Sequence, residues 1–343
     1  MSRGVLAAIV IFAAGTAAAD GPGFPPIEVR ALPIATFRNG SDETRFGELE
    51  FRGGLELAST TRELGSLSGL AFTADGQTLY SVADTGYWFR AKVVEENRRL
   101  TGIADPELGR MLLDNGKPPE RKSDADAEGL RIVERDGKPV ALVSFEQKPT
   151  VREYAGPDFA SSTPTRWTLP KFVTGVRRNQ GLEAIAVAPA GTALDGATLV
   201  IAERSLDTSG NHRGFILTGP SAGVFSIKRT GEFDISDAAF LPGGDLLILE
   251  RSFGFSSGFA VRIRRIDGTS IKPGVTLDGP TLLEADGRYQ IDNLEGLAVR
   301  TTAAGETILT LVSDDNSNLF QRTILLEFAL LPPEPPTPAP TKP

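Results

Sequence analysis

Carboxylates supply most of the chemistry open to this chain. Asp126 and Glu128 alternate before a glycine in the run 124–129, Glu183 follows Gly181-Leu182, Asp237 lies in ISDAAF, and Glu295 opens EGLAV. A second set closes short apolar runs: Asp84, Glu146, Glu203, Glu250 and the pair Asp314-Asp315. Gathered in one place, such oxygens bind a hard divalent cation, with calcium the best match. Arg204 and Arg251 each follow a glutamate of the second set, and Arg213 stands in the same segment as Arg204. Their forked donors suit a phosphate or carboxylate ligand. Both readings can hold together; the structural alternative is that these residues cap strands and pair across sheets.

Other chemistries are excluded by counting. The chain has no cysteine and one histidine, which removes thiolate nucleophiles, thiolate metal sites and sites built on two histidines. That histidine, His212, sits in SLDTSGNHRGF, which reads as a loop between strands; it joins Asn211 and Arg213 near an anionic ligand only if the loop faces the site. GFSSG, 254–258, fits the nucleophile-elbow expression around Ser256, but strand-like segments flank it on both sides where the elbow requires a following helix. The DADAEG run opens like a calcium loop, yet Arg135 stands where the closing glutamate would fall, so an EF-hand is not expected.

These residues need a scaffold that brings them together, and a repeat provides it. LSGLAF, AEGLRI, LEAIAV, ISDAAF and LEGLAV each begin a short apolar strand, followed by a Gly-containing turn and a second apolar strand ending near an acid. The leading positions Ser68, Glu128, Glu183, Asp237 and Glu295 recur every 54–60 residues. Units of three or four strands at this period must pack side by side, which predicts an all-β fold, a β-propeller of five blades. Strands around Phe46–Phe51 and Leu55–Ala58 are expected to complete the last blade. Six blades is the alternative count if the segment Ile27–Phe37 seeds a degenerate one, and a large β-sandwich is the alternative architecture. The first strand of each propeller blade lines the central channel, so the leading acids would form a ring there.

The remainder of the sequence bounds the setting. Of 343 residues, 36 are Lys or Arg and 44 Asp or Glu, a net charge of −8. That balance, without a basic block, argues against nucleic acid or an anionic membrane as partner. Residues 1–19 read as a secretory signal, with Arg3 before an apolar run and Ala17-Ala18-Ala19 before Asp20. Residues 20–39 read as a linker and strand, 40–330 as the propeller, and 331–343 as an extended proline-rich tail available to an envelope partner. The protein is therefore expected in the periplasm or outside the cell, with no stable membrane insertion after signal cleavage.

As a set, LSGLAF with VADT, DAEGL with VSFE, GLEAIAV with IAERS, LLILERSF, and NLEGLAV with VSDDN resemble the bacterial phytase-like domain family, described as having esterase-like activity of phytase. The likeness covers about residues 40–330. It implies a secreted propeller and, by analogy with β-propeller phytases, calcium-assisted hydrolysis of a phosphate ester. Carried onto this chain, the Ca2+ cluster falls on Asp126, Glu128, Glu183, Glu295 and Asp314. From the residues themselves, Glu183 and Glu295 are expected to be the catalytic carboxylates, and Arg204, His212, Arg213 and Arg251 are expected to bind a small anionic ester. A non-catalytic periplasmic binding propeller and a metal-dependent lactonase are the alternative functions.

Overall fold

A computed structural model describes residues 23–173, 175–176, 181–254 and 257–332. The signal-like leader, Arg177-Arg178, Ser256 and the tail from residue 333 lie outside the described residues. Five separate antiparallel-based sheets follow one another along the chain. The first runs outward through Leu67–Phe72, Thr78–Ala83, Tyr87–Glu96 and Arg99–Arg110. The second comprises Ala127–Arg135, Lys138–Phe145, Thr150–Ala155 and Thr165–Arg166. The third and fourth begin with Leu182–Val187 and Asp234–Phe240, and Leu294–Thr301 begins the fifth. The first strands touch one another in cyclic order, which closes the ring of a five-bladed propeller.

The ring is sealed by the N-terminal strands, as the sequence predicts. Leu49–Ala58 pairs with the last strand, Thr323–Leu330, from Leu49↔Leu330 to Leu57↔Thr323. The driving force is apolar burial: Leu49 and Phe51 pack with Ile324, Leu326 and Phe328 on one side of the sheet and Leu55 with Leu325 on the other, all withdrawn from water. Arg30–Ile34 does not seed a sixth blade; it adds to the outside of Leu49–Ala58 in the fifth. Blades three and four are further laced together, because Thr276–Leu277 leaves the fourth blade's connection and pairs in parallel with Ser226–Ile227.

Each first strand carries a one-residue bulge at the same place. The register slips between Leu67 and Leu70, Ala127 and Leu130, Leu182 and Ala184, Ile235 and Asp237, and Leu294 and Gly296. A bulge re-aims the extra side chain; here it is Ser68, Glu128, Glu183, Ser236 or Glu295. In three blades the following residue is a glycine that must stay small where neighbouring blades meet. A Cβ on Gly69 would lie 2.3 Å from the Leu130 nitrogen, one on Gly129 2.7 Å from the Glu183 oxygen, and one on Gly296 2.3 Å from the Ser68 oxygen. The Glu-Gly pairs are thus one device: glutamate at the mouth, glycine where the adjacent backbone presses in.

This packing is testable by urea denaturation. Gly296→Ala should cost about 3 kcal/mol, because backbone rather than a movable side chain blocks the methyl. Gly243→Ala, with no atom within 4 Å of the added carbon, should stay within about 0.5 kcal/mol of the parent. Equal effects at the two positions would refute the tight-neck account.

Candidate metal centre

The bulge fixes a ring of side chains at one end of the channel, and the second strands add another. One residue beyond the pairs Leu67↔Ala83, Ala127↔Phe145, Leu182↔Ala202, Ile235↔Glu250 and Leu294↔Ser313 lie Asp84, Glu146, Glu203, Arg251 and Asp314. Two members of the sequence-derived rings are corrected by this register. Ser236, not Asp237, occupies the leading position of blade four, and Arg251, not Glu250, holds the matching position on its second strand, which runs on to Gly254. Glu250 turns away and is bound by Arg262 at 2.8 Å and by Arg264 at 2.6 Å.

Asp237 takes the place of the neck glycine and forms a floor beneath the mouth. Its Oδ1 accepts from Arg131 Nη2 at 2.9 Å, and its Oδ2 accepts from the Leu297 backbone at 2.8 Å. Arg131 also donates to the Leu70 carbonyl at 3.0 Å and to the Ala238 carbonyl, so this one pair links blades one, two, four and five. Burial outweighs the neighbouring guanidinium and raises Asp237 to about 6.

The acids above this floor converge into two overlapping groups. Asp126, Glu128 and Glu146 form one and Glu146, Glu183 and Glu203 the other; within each, one oxygen per residue lies within 4.8 Å of the others. Oxygens bound to a single calcium at its usual distances lie at most about 5 Å apart, so both groups fit such an ion. Buried acceptors point the same way: Asp84 Oδ1, Asp126 Oδ2 and Asn293 Oδ1 have no hydrogen-bond partner. The donor set is all oxygen and mostly anionic, as a hard cation requires.

Crowding and burial push these carboxyls toward their neutral forms. Burial raises Glu128 and Glu183 well above the usual glutamate range; Glu295 and Glu146 repel both, and Glu128 also repels Glu183. Burial and the hydrogen bond shared with Asp126 take Glu146 to about 7. Burial and then Glu295 take Asp314 to about 8. Glu203 is also raised by burial, although Arg251 works against this.

The other predicted site residues are distributed unevenly around this centre. Glu295 lies in the mouth but in neither group; Asn293 Nδ2 donates to it at 2.6 Å and Arg251 Nη2 lies 3.1 Å from it. Asp314 shares its electrostatic environment without joining a group. Arg204 stands further out, bonded at 2.8 Å to Asp234, which Arg229 also holds at 3.0 Å. Arg213 stacks over Phe215 at 5.0 Å. His212 begins a strand rather than occupying a loop, and it is fully buried. Its Nδ1 and Nε2 face the carbonyls of Glu203 and Phe233 at 2.6 and 3.3 Å, and burial lowers its pKa. It supports the wall behind Glu203 and presents no ring nitrogen to an anion. Glu146 and Glu203 were visible in the sequence as strand-ending acids, but which acids come within ligand distance depends on how neighbouring blades face one another.

With the fold and mouth in view, the relationship to known proteins is direct. The chain belongs to the phytase-like family described as "Esterase-like activity of phytase", whose model matches residues 62–317. No protein of curated function matches it. Among solved structures it is similar to an endo-arabinase from Bacteroides thetaiotaomicron VPI-5482, with a TM-score of 0.47, 10% identity, and coverage of 77% of this chain and 93% of that one. A thermostable family-43 glycoside hydrolase gives 0.44, 10%, 81% and 97%, and the RRP9 WD40 repeats give 0.38, 12%, 89% and 99%. Among the described residues no helix is long and apolar enough to cross a membrane.

The raised carboxyls make a signed prediction for protein in EDTA. Folded, they hold protons that the unfolded chain has released, so stability is fully present below about pH 4 and declines as pH rises to about 7–8. Tm in EDTA should therefore fall between pH 5 and pH 8, and added CaCl2 should restore it chiefly at pH 8. A Tm in EDTA that is flat or rises over this interval would contradict the crowded-acid geometry.

Proposed function

We propose that this protein is an exported hydrolase of small anionic esters, phosphate esters foremost, working with Ca2+ at the channel mouth. The observation that carries the reading is the pair of overlapping acid groups set above a closed floor. Asp126, Glu128, Glu146, Glu183 and Glu203 are the residues that would hold the cation. When bound, Ca2+ supplies charge stabilisation for an ester oxygen and a lowered pKa for water.

The chain's own groups supply the rest. Glu183, standing in the second acid group at the mouth, serves as the base that takes a proton from the attacking water; that proton then passes to the leaving alkoxide. Glu295 is already engaged by Arg251 and Asn293, so it orients these groups rather than moving a proton. Arg251 and the more exposed Arg204 give the mouth positive charge toward an anionic substrate. Membership of the family supports ester hydrolysis, and the leader-like residues 1–19 support a periplasmic or secreted location.

A binding propeller is the second reading, and one observation favours it. Leu319 and Phe320, 100% and 94% exposed, sit together on the connection that follows Asp314-Asp315. Adjacent large apolar side chains held in water are a common mark of a contact surface.

The experiment is a turnover panel of phosphate monoesters, carboxyl esters and lactones, each with CaCl2 and with EDTA. Calcium-dependent release from a phosphate or carboxyl ester is expected, and Glu183→Gln should lower kcat about a hundredfold or more while leaving the circular dichroism spectrum unchanged. Lactone opening alone would reassign the substrate. Calcium binding without turnover of any class would leave the binding reading in its place.

A further inference from the structure

We infer that Arg251 is a tethered cation: it fills the position of a metal ion on the blade-four side of the mouth and confines Ca2+ to blades two and three. The inference rests on the reading that the mouth holds divalent cations, and it assigns the positioning of those ions to one residue.

Fold symmetry gives the first argument. At the equivalent register position of the second strand four blades carry a carboxylate at the mouth, Asp84, Glu146, Glu203 and Asp314, and blade four alone carries arginine. The same blade has Ser236 where three others have glutamate, so it contributes no carboxylate to either ring. Its nearby acids are committed elsewhere: Asp234 to Arg204 and Arg229, Asp237 to Arg131, and Glu250 to Arg262 and Arg264.

Contacts give the second argument. Arg251 Nη2 lies 3.5 Å from Glu203 Oε1 of blade three and 3.1 Å from Glu295 Oε1 of blade five. It therefore bridges the two acids flanking blade four, as a metal ion would. Glu295 joins neither acid group, whereas Glu203 belongs to one on its other side. Arginine keeps its charge at every working pH and cannot dissociate from the protein. It neutralises this side permanently, and through Glu203 it competes with any ion on blades two and three.

Calcium titration of the full chain by calorimetry tests this, with Arg251→Gln and Arg251→Glu beside the parent. Removing a positive charge so close to a divalent ion should tighten Ca2+ binding by Arg251→Gln about tenfold or more. Arg251→Glu, which restores the acid found in the other blades, should bind one more Ca2+ per chain, and Glu295→Gln in that background should abolish the gain. Unchanged or weaker affinity in Arg251→Gln with unchanged stoichiometry in Arg251→Glu would reduce Arg251 to an ordinary ion pair and overturn the inference. If Arg251→Glu does not fold, the affinity of Arg251→Gln decides alone. A parent that binds no Ca2+ while a variant does would uphold the tethered cation. Absence of binding in all three would overturn both this inference and the metal reading, whereas binding by the parent with unresponsive variants would overturn this inference only.

Discussion

Like charges held together in a confined space are the constraint on which this molecule turns. Every first strand bulges at the same step, and each bulge directs its extra side chain to the channel mouth. Below it the neighbouring backbones approach so closely that glycine is needed in three blades. The acids consequently cannot spread apart without opening the ring. Coulombic repulsion grows as water is excluded, so the mouth must acquire protons or cations. The raised pKa values and the overlapping ligand groups express the same geometry.

Much of this was legible in the chain because it is encoded locally. Apolar runs of strand length, Gly-containing turns and their recurrence specify blades, and the spare strands at the N-terminus specify where the ring closes. Blade four exposes the limit. Choosing Asp237 and Glu250 by residue type gave rings displaced by one position, although aligning all of ISDAAF with LSGLAF places Ser236 opposite Ser68 and Asp237 opposite Gly69. A one-residue displacement turns a side chain to the other face of a strand, so register outranks chemistry in such comparisons. His212 had no comparable local signal. Its surroundings in sequence are those of a turn, and its burial comes from the carbonyls of Glu203 and Phe233, whose positions only the folded blade sets.

The distribution of arginine separates acids that build the fold from acids that can work. Glu250, Asp237, Asp234 and Glu327 each have a guanidinium within ion-pair distance. Replacing the arginine in such a pair leaves a buried charge unpaired, so these acids are committed to structure. Asp126 and Glu183 are buried and Glu128 and Glu146 half-buried in the same protein, yet among the described residues none has a lysine or arginine ion pair. Burial alone would favour an apolar residue at those positions. Their placement is instead consistent with a compensating charge that arrives from solution, which links the chemistry of the mouth to the composition of its surroundings. Glu203 and Glu295 stand at the boundary between these two populations, and the arginine they share draws the line.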